Sequence, residues 1–131
     1  MADVGIILGT IDARIGASME TINSIQEGYR NDNGRYAQAM FTHSEAPEDE
    51  NESSPDQLES HPTDQVSSWA DLAQGVMPDT MLSRMKIDSY DGPRGQGYVI
   101  FLEKKINGQL YVKSINVGPE EERSKDWTIG G

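Results

Sequence analysis

Val4, Leu8, Ile11, Ile15, Met19, Ile22, Ile25 and Tyr29 recur at steps of three or four residues, one apolar stripe along a single helix. Asp12, Arg14, Glu20, Asn23 and Glu27 fall largely off that stripe. A helix from Val4 to Arg30 would be about 40 Å long at about 1.5 Å per residue. That is long for a chain of 131 residues. Whatever else folds here must cover one side of it.

Gly5, Gly9 and Gly16 each weaken the helix, by about 1 kcal/mol relative to alanine. The best-supported part is therefore Ile11 to Arg30, with residues 1–10 expected to be a frayed end or one added to the natural chain. Gly5 and Gly9 form a G-x-x-x-G, a spacing that brings helices together chiefly inside membranes. Here it is expected to mark a flexible end. The run Val4 to Leu8 is too short for a signal-peptide core or a membrane span, and acidic Asp3 precedes it. As written, the chain is expected to be soluble. Asn31-Asp32-Asn33-Gly34 then stops the helix, since Asn and Gly readily take a left-handed cap conformation. Tyr36, Met40 and Phe41 supply an apolar patch that can fold back on the helix end.

Lys and Arg number 11 against 22 for Asp and Glu, a formal charge of -11. This sign disfavours nucleic acid and anionic membrane as partners. Residues 43–64 hold eight of the acidic residues, no Lys or Arg, three prolines (Pro47, Pro55, Pro62) and Leu58 as their only large aliphatic. That composition cannot offset the entropy of ordering, so a mobile acidic loop is expected. The remainder of the chain is near -3.

Ser67 or Ser68 can cap a short helix over Trp69, Leu72 and Ala73 that ends at Gly75. Val76-Met77-Pro78-Asp79 is expected to turn, followed by a brief apolar segment with Met81, Leu82 and Met85. Asp91-Gly92-Pro93-Arg94-Gly95 is another turn. Tyr98 to Leu102 reads as a strand, Asn107-Gly108 as a hairpin, Leu110 to Val117 as a second strand whose alternation slips between Val112 and Ile115, and Trp127-Thr128-Ile129 as a third. The fold class is α+β: a long N-terminal helix packed on a small antiparallel meander, in one domain over residues 1–131.

Little in the chain can run a reaction. With no cysteine there is no thiolate metal site and no disulfide. His43 and His61 lie in or beside the acidic segment, where no catalytic geometry is held. Gly92, Gly95 and Gly97 precede a strand, whereas a phosphate-binding fingerprint follows one and opens a helix. Asp88 and Asp91, with Asp79, are the calcium candidates, on oxygen-ligand chemistry alone. Their spacing matches no EF-hand loop, and turn aspartates are usually turn formers. No catalytic residue and no cofactor is assigned, and the chain is read as a non-enzyme.

The segment Ile22 to Tyr36, INSIQEGYRNDNGRY, resembles the exposed half of the first helix of bacterial type IV pilins and type II secretion pseudopilins. In that family the helix often runs into a D-N-G-R-Y turn where the globular head begins, and Asp32, Asn33, Gly34, Arg35 and Tyr36 match it. Trp69-Ala70-Asp71-Leu72 with Met77-Pro78 is similar to the short loop helix before the family's sheet. Gly97 to Ile100, Asn107-Gly108 and Trp127 to Ile129 are similar to the sheet. The likeness covers roughly residues 11–40 and 69–129. Two family features are missing: the apolar N-terminal anchor helix after a prepilin cleavage site, and the C-terminal disulfide of many major pilins.

The resemblance implies a structural subunit of a pilus or secretion pseudopilus that assembles into a helical filament with copies of itself and related subunits, aided by assembly machinery. The full-length protein would then sit in a surface filament, or in the periplasm and inner membrane, held by the missing helix. The alternative is a soluble, non-enzymatic adaptor whose acidic loop engages a basic protein partner.

Overall fold

The computed structural model describes residues 3–44, 57–60, 64, 66–80 and 82–130. The first helix, α1, spans Val4–Asn33. Asp3 caps it: its Oδ1 accepts from the Ile6 N–H at 3.3 Å, and its carbonyl accepts from Ile7. The helix therefore begins within the ten residues expected to fray. Its first turns have apolar partners, with Leu8 in the core and Val4 and Ile7 packed against it. Further along, Ile11, Ile15, Ile22 and Gln26 are buried on the same stripe.

Among the described residues six strands form one antiparallel sheet. They are β1 (Ala39–Ser44), β2 (Gln57–Ser60), β3 (Arg84–Gly92), β4 (Gly95–Ile106), β5 (Gln109–Val117) and β6 (Lys125–Ile129), in the order β2-β1-β3-β4-β5-β6. The meander expected from Tyr98 onward is present as β4-β5-β6. Asn107 and Gly108 turn the β4–β5 hairpin with φ of 52° and 81°, both positive as a type I′ turn needs. A register shift between β5 and β6 falls at Val112/Ser114, where the sequence alternation slips.

Three expectations need correction. The segment read as a brief apolar stretch is the long strand β3, whose Met85 and Ile87 face the core between Arg84, Lys86 and Asp88. Both ends of the expected acidic loop are paired strands. Phe41 to Ser44 of β1 lies against Gln57 to Ser60 of β2, because main-chain pairing asks little of side-chain hydrophobicity at a sheet edge. His43 is thus a strand residue, while 45–56 and His61 lie outside the described residues. Finally, the second helix, α2 (Ser67–Thr80), runs through Gly75 and the segment expected to turn. Burial of Leu72, Ala73, Val76 and Met77 outweighs the local cost of Gly75, and Pro78 falls in the last turn.

One face of the sheet carries the core. Ile87, Ile100 and Leu102 pack there with the α1 stripe and with Trp69, Val76 and Met77 of α2. The opposite face is partly covered by residues 118–124, which include a short 3-10 turn, Glu121–Arg123. The Ser114 hydroxyl donates to the Arg123 carbonyl at 2.7 Å, and the Glu120 N–H donates to Tyr90 Oη at 3.2 Å.

Candidate functional site

The segment Asp32 to Tyr36, which closes α1 and leaves it, is where helix, sheet and connecting segments meet. Gly34 takes φ +79°, and its N–H donates to the Arg30 carbonyl at 2.8 Å, which closes the helix. The Gly34 carbonyl in turn accepts from the side-chain amide of Gln96 on β4, at 2.7 Å. Arg35 sends two 2.7 Å hydrogen bonds to the carboxylate of Asp64 and lies over the Tyr29 ring at 5.5 Å. Asp64 also accepts from the Gln38 N–H, at 2.9 Å. It is the only described residue between β2 and Val66, and it is fixed rather than loose.

Tyr36 is buried. Its hydroxyl donates to Glu27 at 2.8 Å and accepts from Arg30 at 3.2 Å, and its ring meets Tyr98 edge-on at 5.1 Å. Tyr98 Oη donates to Asn23 of α1. Burial, then contact with Glu27, raises the Tyr36 hydroxyl above its ordinary range, and burial lifts Tyr98 further still. Both stay neutral donors at physiological pH, so this pair clamps the helix and offers no general base. Beneath them, fully buried Gln26 satisfies both backbone groups of Ala37: its amide donates to the carbonyl at 3.0 Å and its oxygen accepts the N–H at 2.7 Å.

The Arg35 pairing lowers the Asp64 carboxyl to about 2; burial opposes this and the Gln38 N–H assists. A carboxyl depressed from its ordinary 3.8 stabilises the fold fully above that value, and loses the contribution as pH falls toward 2. Urea midpoints of the wild type and Asp64→Ala should therefore differ at pH 5 to 7 and converge between pH 4 and 2. A gap that widens on acidification would contradict this assignment.

A second anchor holds the other half of α1. Asp12 accepts from Lys113 Nζ at 2.9 Å and from Trp127 Nε1 at 3.0 Å, tying the helix to β5 and β6. On the side of α1 away from the sheet, Thr10, Ala13, Ala17, Thr21, Ser24 and Gly28 follow one another at steps of three or four, all exposed. Gly9, Gly16 and Gly28 have open space where a Cβ would stand. This outward face carries small side chains along much of the helix.

Of the calcium candidates, Asp88 and Asp91 are not brought together, and the side chain of Asp79 lies outside the described residues. Asp88 sits on β3 with Lys86 Nζ at 3.9 Å, and exposed Asp91 lies opposite Gln96. Among the described residues no group of three or more His, Asp or Glu could hold a metal ion, and no helix is long and apolar enough to cross a membrane. Of the five turn residues, Gly34, Arg35 and Tyr36 make the junction. Asp32 and Asn33 are exposed in the last helical turn, where the Asn33 amide donates to the Tyr29 carbonyl at 3.0 Å.

Sequence reasoning missed Gln26 and Asp64. Gln26 was detectable, because a polar residue four after Ile22 and three before Tyr29 occupies a core position. Asp64 lies 29 residues from Arg35 inside a stretch whose composition says nothing about pairing. No protein-family model matches the chain, and neither does any curated protein or solved structure.

Proposed function

We propose that this chain is a structural subunit of a bacterial type IV pilus or type II secretion pseudopilus, architectural rather than catalytic in its role. The observation that carries the reading is the two-sided character of α1. One side is committed to the sheet and α2, and the other presents Thr10, Ala13, Ala17 and their small neighbours to solvent. Small side chains let helix axes approach to the short end of the usual 8–10 Å range. A helix faced in this way suits packing against the same helix of neighbouring subunits about a filament axis. The D-N-G-R-Y junction supports the reading, since it fixes the head rigidly on the helix end.

In this reading the full-length protein is inserted in the inner membrane by a preceding apolar segment and then enters a surface or periplasmic filament. The described head alone leaves Ile6 as the exposed large aliphatic on α1, at 67% exposure. Burying one such side chain yields about 1.5–3 kcal/mol, against an association cost of about 4–15 kcal/mol. Residues 1–131 should therefore sediment as a monomer at micromolar concentration. Two tests bear on assembly. The coding sequence upstream of Met1 should carry a basic leader, a Gly cleavage site and about twenty apolar residues. In the native gene product, Ala13→Cys and Ala17→Cys should give an open ladder of crosslinked multimers in cells. A closed oligomer of residues 1–131, with an ordinary start at Met1, would end the filament reading.

A further inference from the structure

Alongside the C-terminal half of α1 runs a groove shared with α2. Two adjoining concavities of about 560 and 590 Å³ have Ser24, Ile25 and Ser68 in common and together reach from Glu20 to Asn33. At about 1.5 Å per residue that length is about 20 Å, the span of a helix of three to four turns. Ile25, Val66 and Tyr29, with the edge of Leu72, give it apolar surface, set among polar side chains that predominate toward Asp32 and Asn33. Its walls are low, because α1 offers Thr21, Ser24 and Gly28 and α2 offers Ser68.

The charge along this groove is of one sign. Glu20, Asp71 and Asp32 line it, and no Lys or Arg does. None of the three has an ion-pair partner among the described residues. Elsewhere Asp12, Asp64, Asp88, Glu103, Glu120 and Glu122 each lie within 4 Å of a cation. A concave, mixed surface in which Ile25, Val66 and Tyr29 lie between unpaired carboxylates is complementary to an amphipathic helix with a narrow apolar stripe flanked by basic residues.

Among the described residues there is no such helix. α2 has no Lys or Arg, and α1 has two Arg against four acidic residues. The lysines of the described elements lie in strands. A second copy would bring acidic helices to an acidic groove and be repelled. We therefore propose that the α1–α2 groove docks a basic amphipathic helix of a different protein. The inference shares Thr21, Ser24 and Gly28 with the outward face of α1 but not Thr10, Ala13 and Ala17, where the filament reading is tested, so either can fail alone.

The probe is a synthetic helical peptide of about 14 residues, with Leu at i, i+4, i+7 and i+11 and Lys on the flanks. Titrated into isotopically labelled residues 1–131 at 150 mM salt, it should bind one to one, with amide shifts centred on Ser24, Ile25, Gly28, Ser68 and Leu72. Gly28→Trp fills the groove from a position with free space and leaves the core untouched. It should weaken binding at least about tenfold, as should Glu20→Lys with Asp71→Lys, while all variants keep the wild-type amide dispersion. No binding at 150 mM salt would overturn the proposal, as would equal binding of a scrambled peptide of the same composition or shifts centred elsewhere. A monomer–dimer equilibrium of the chain alone that Gly28→Trp abolishes would assign the groove to a second copy instead.

Discussion

Gly97→Ala should lower the melting temperature by roughly 10 °C, the consequence of overpacking by about 3 kcal/mol. A Cβ at position 97 would stand 2.3 Å from Tyr90 Oη and 2.7 Å from the carbonyl oxygen of Val117 on the paired strand. The tyrosine cannot easily step aside. Its hydroxyl donates to Asn116 at 2.7 Å and accepts from the Glu120 N–H, and the Arg123 guanidinium lies 4.8 Å from the ring centre. Gly118 shares the constraint: it adopts φ +143°, and a Cβ there would lie 2.5 Å from the same hydroxyl. Thermal melts of Gly97→Ala beside Gly16→Ala make the comparison. Gly16 is helical with free space, so alanine there should raise stability by about 1 kcal/mol. If the two variants melt together within about 2 °C, Tyr90 is not seated on Gly97 as described.

Gln26→Leu should be at least as costly, about 3–4 kcal/mol, although it exchanges a polar core residue for an apolar one of similar size. The loss comes from Ala37, fully buried, whose N–H and carbonyl would both be left without partners at about 1–3 kcal/mol each. Gln26→Glu separates the two bonds, since a carboxylate can still accept the N–H but has nothing to give the carbonyl. Urea unfolding of both variants should show unchanged m-values and lowered midpoints, with a loss for each. A neutral Gln26→Leu would mean that Ala37 finds other partners.

The helix was legible because Val4 to Tyr29 keeps one period over seven turns, and its end because Gly34 supplies the left-handed cap. The Asn107-Gly108 hairpin was legible for the same local reason. What could not be read depends on contacts distant in sequence. β2 exists through main-chain pairing with β1, which composition does not report. α2 outlasts Gly75 because Val76 and Met77 find a core made elsewhere. Local rules gave Arg35 and Tyr36 a place in a turn, but not Asp64 and Tyr98 as their partners. Likewise, the outward face of α1 was visible as residues off the stripe. That it stays uncovered, and that α2 borders only its C-terminal half, required the fold.

The two anchors of α1 differ in kind, and this has a mechanical consequence. At the Asp12 end the helix is held by an ion pair and an indole hydrogen bond, with the Lys113 side chain 20% and the Asp12 side chain 39% exposed. Water can replace those bonds, and they can re-form after slipping. At the Gln26 end the bonds are buried, and breaking them strands polar groups in the core. A pull along the helix axis would therefore free the Asp12 end first and reversibly, while the junction at residues 34–38 passes the load into β1 and β4 as shear across several hydrogen bonds. Such a helix gives way at one end and holds at the other.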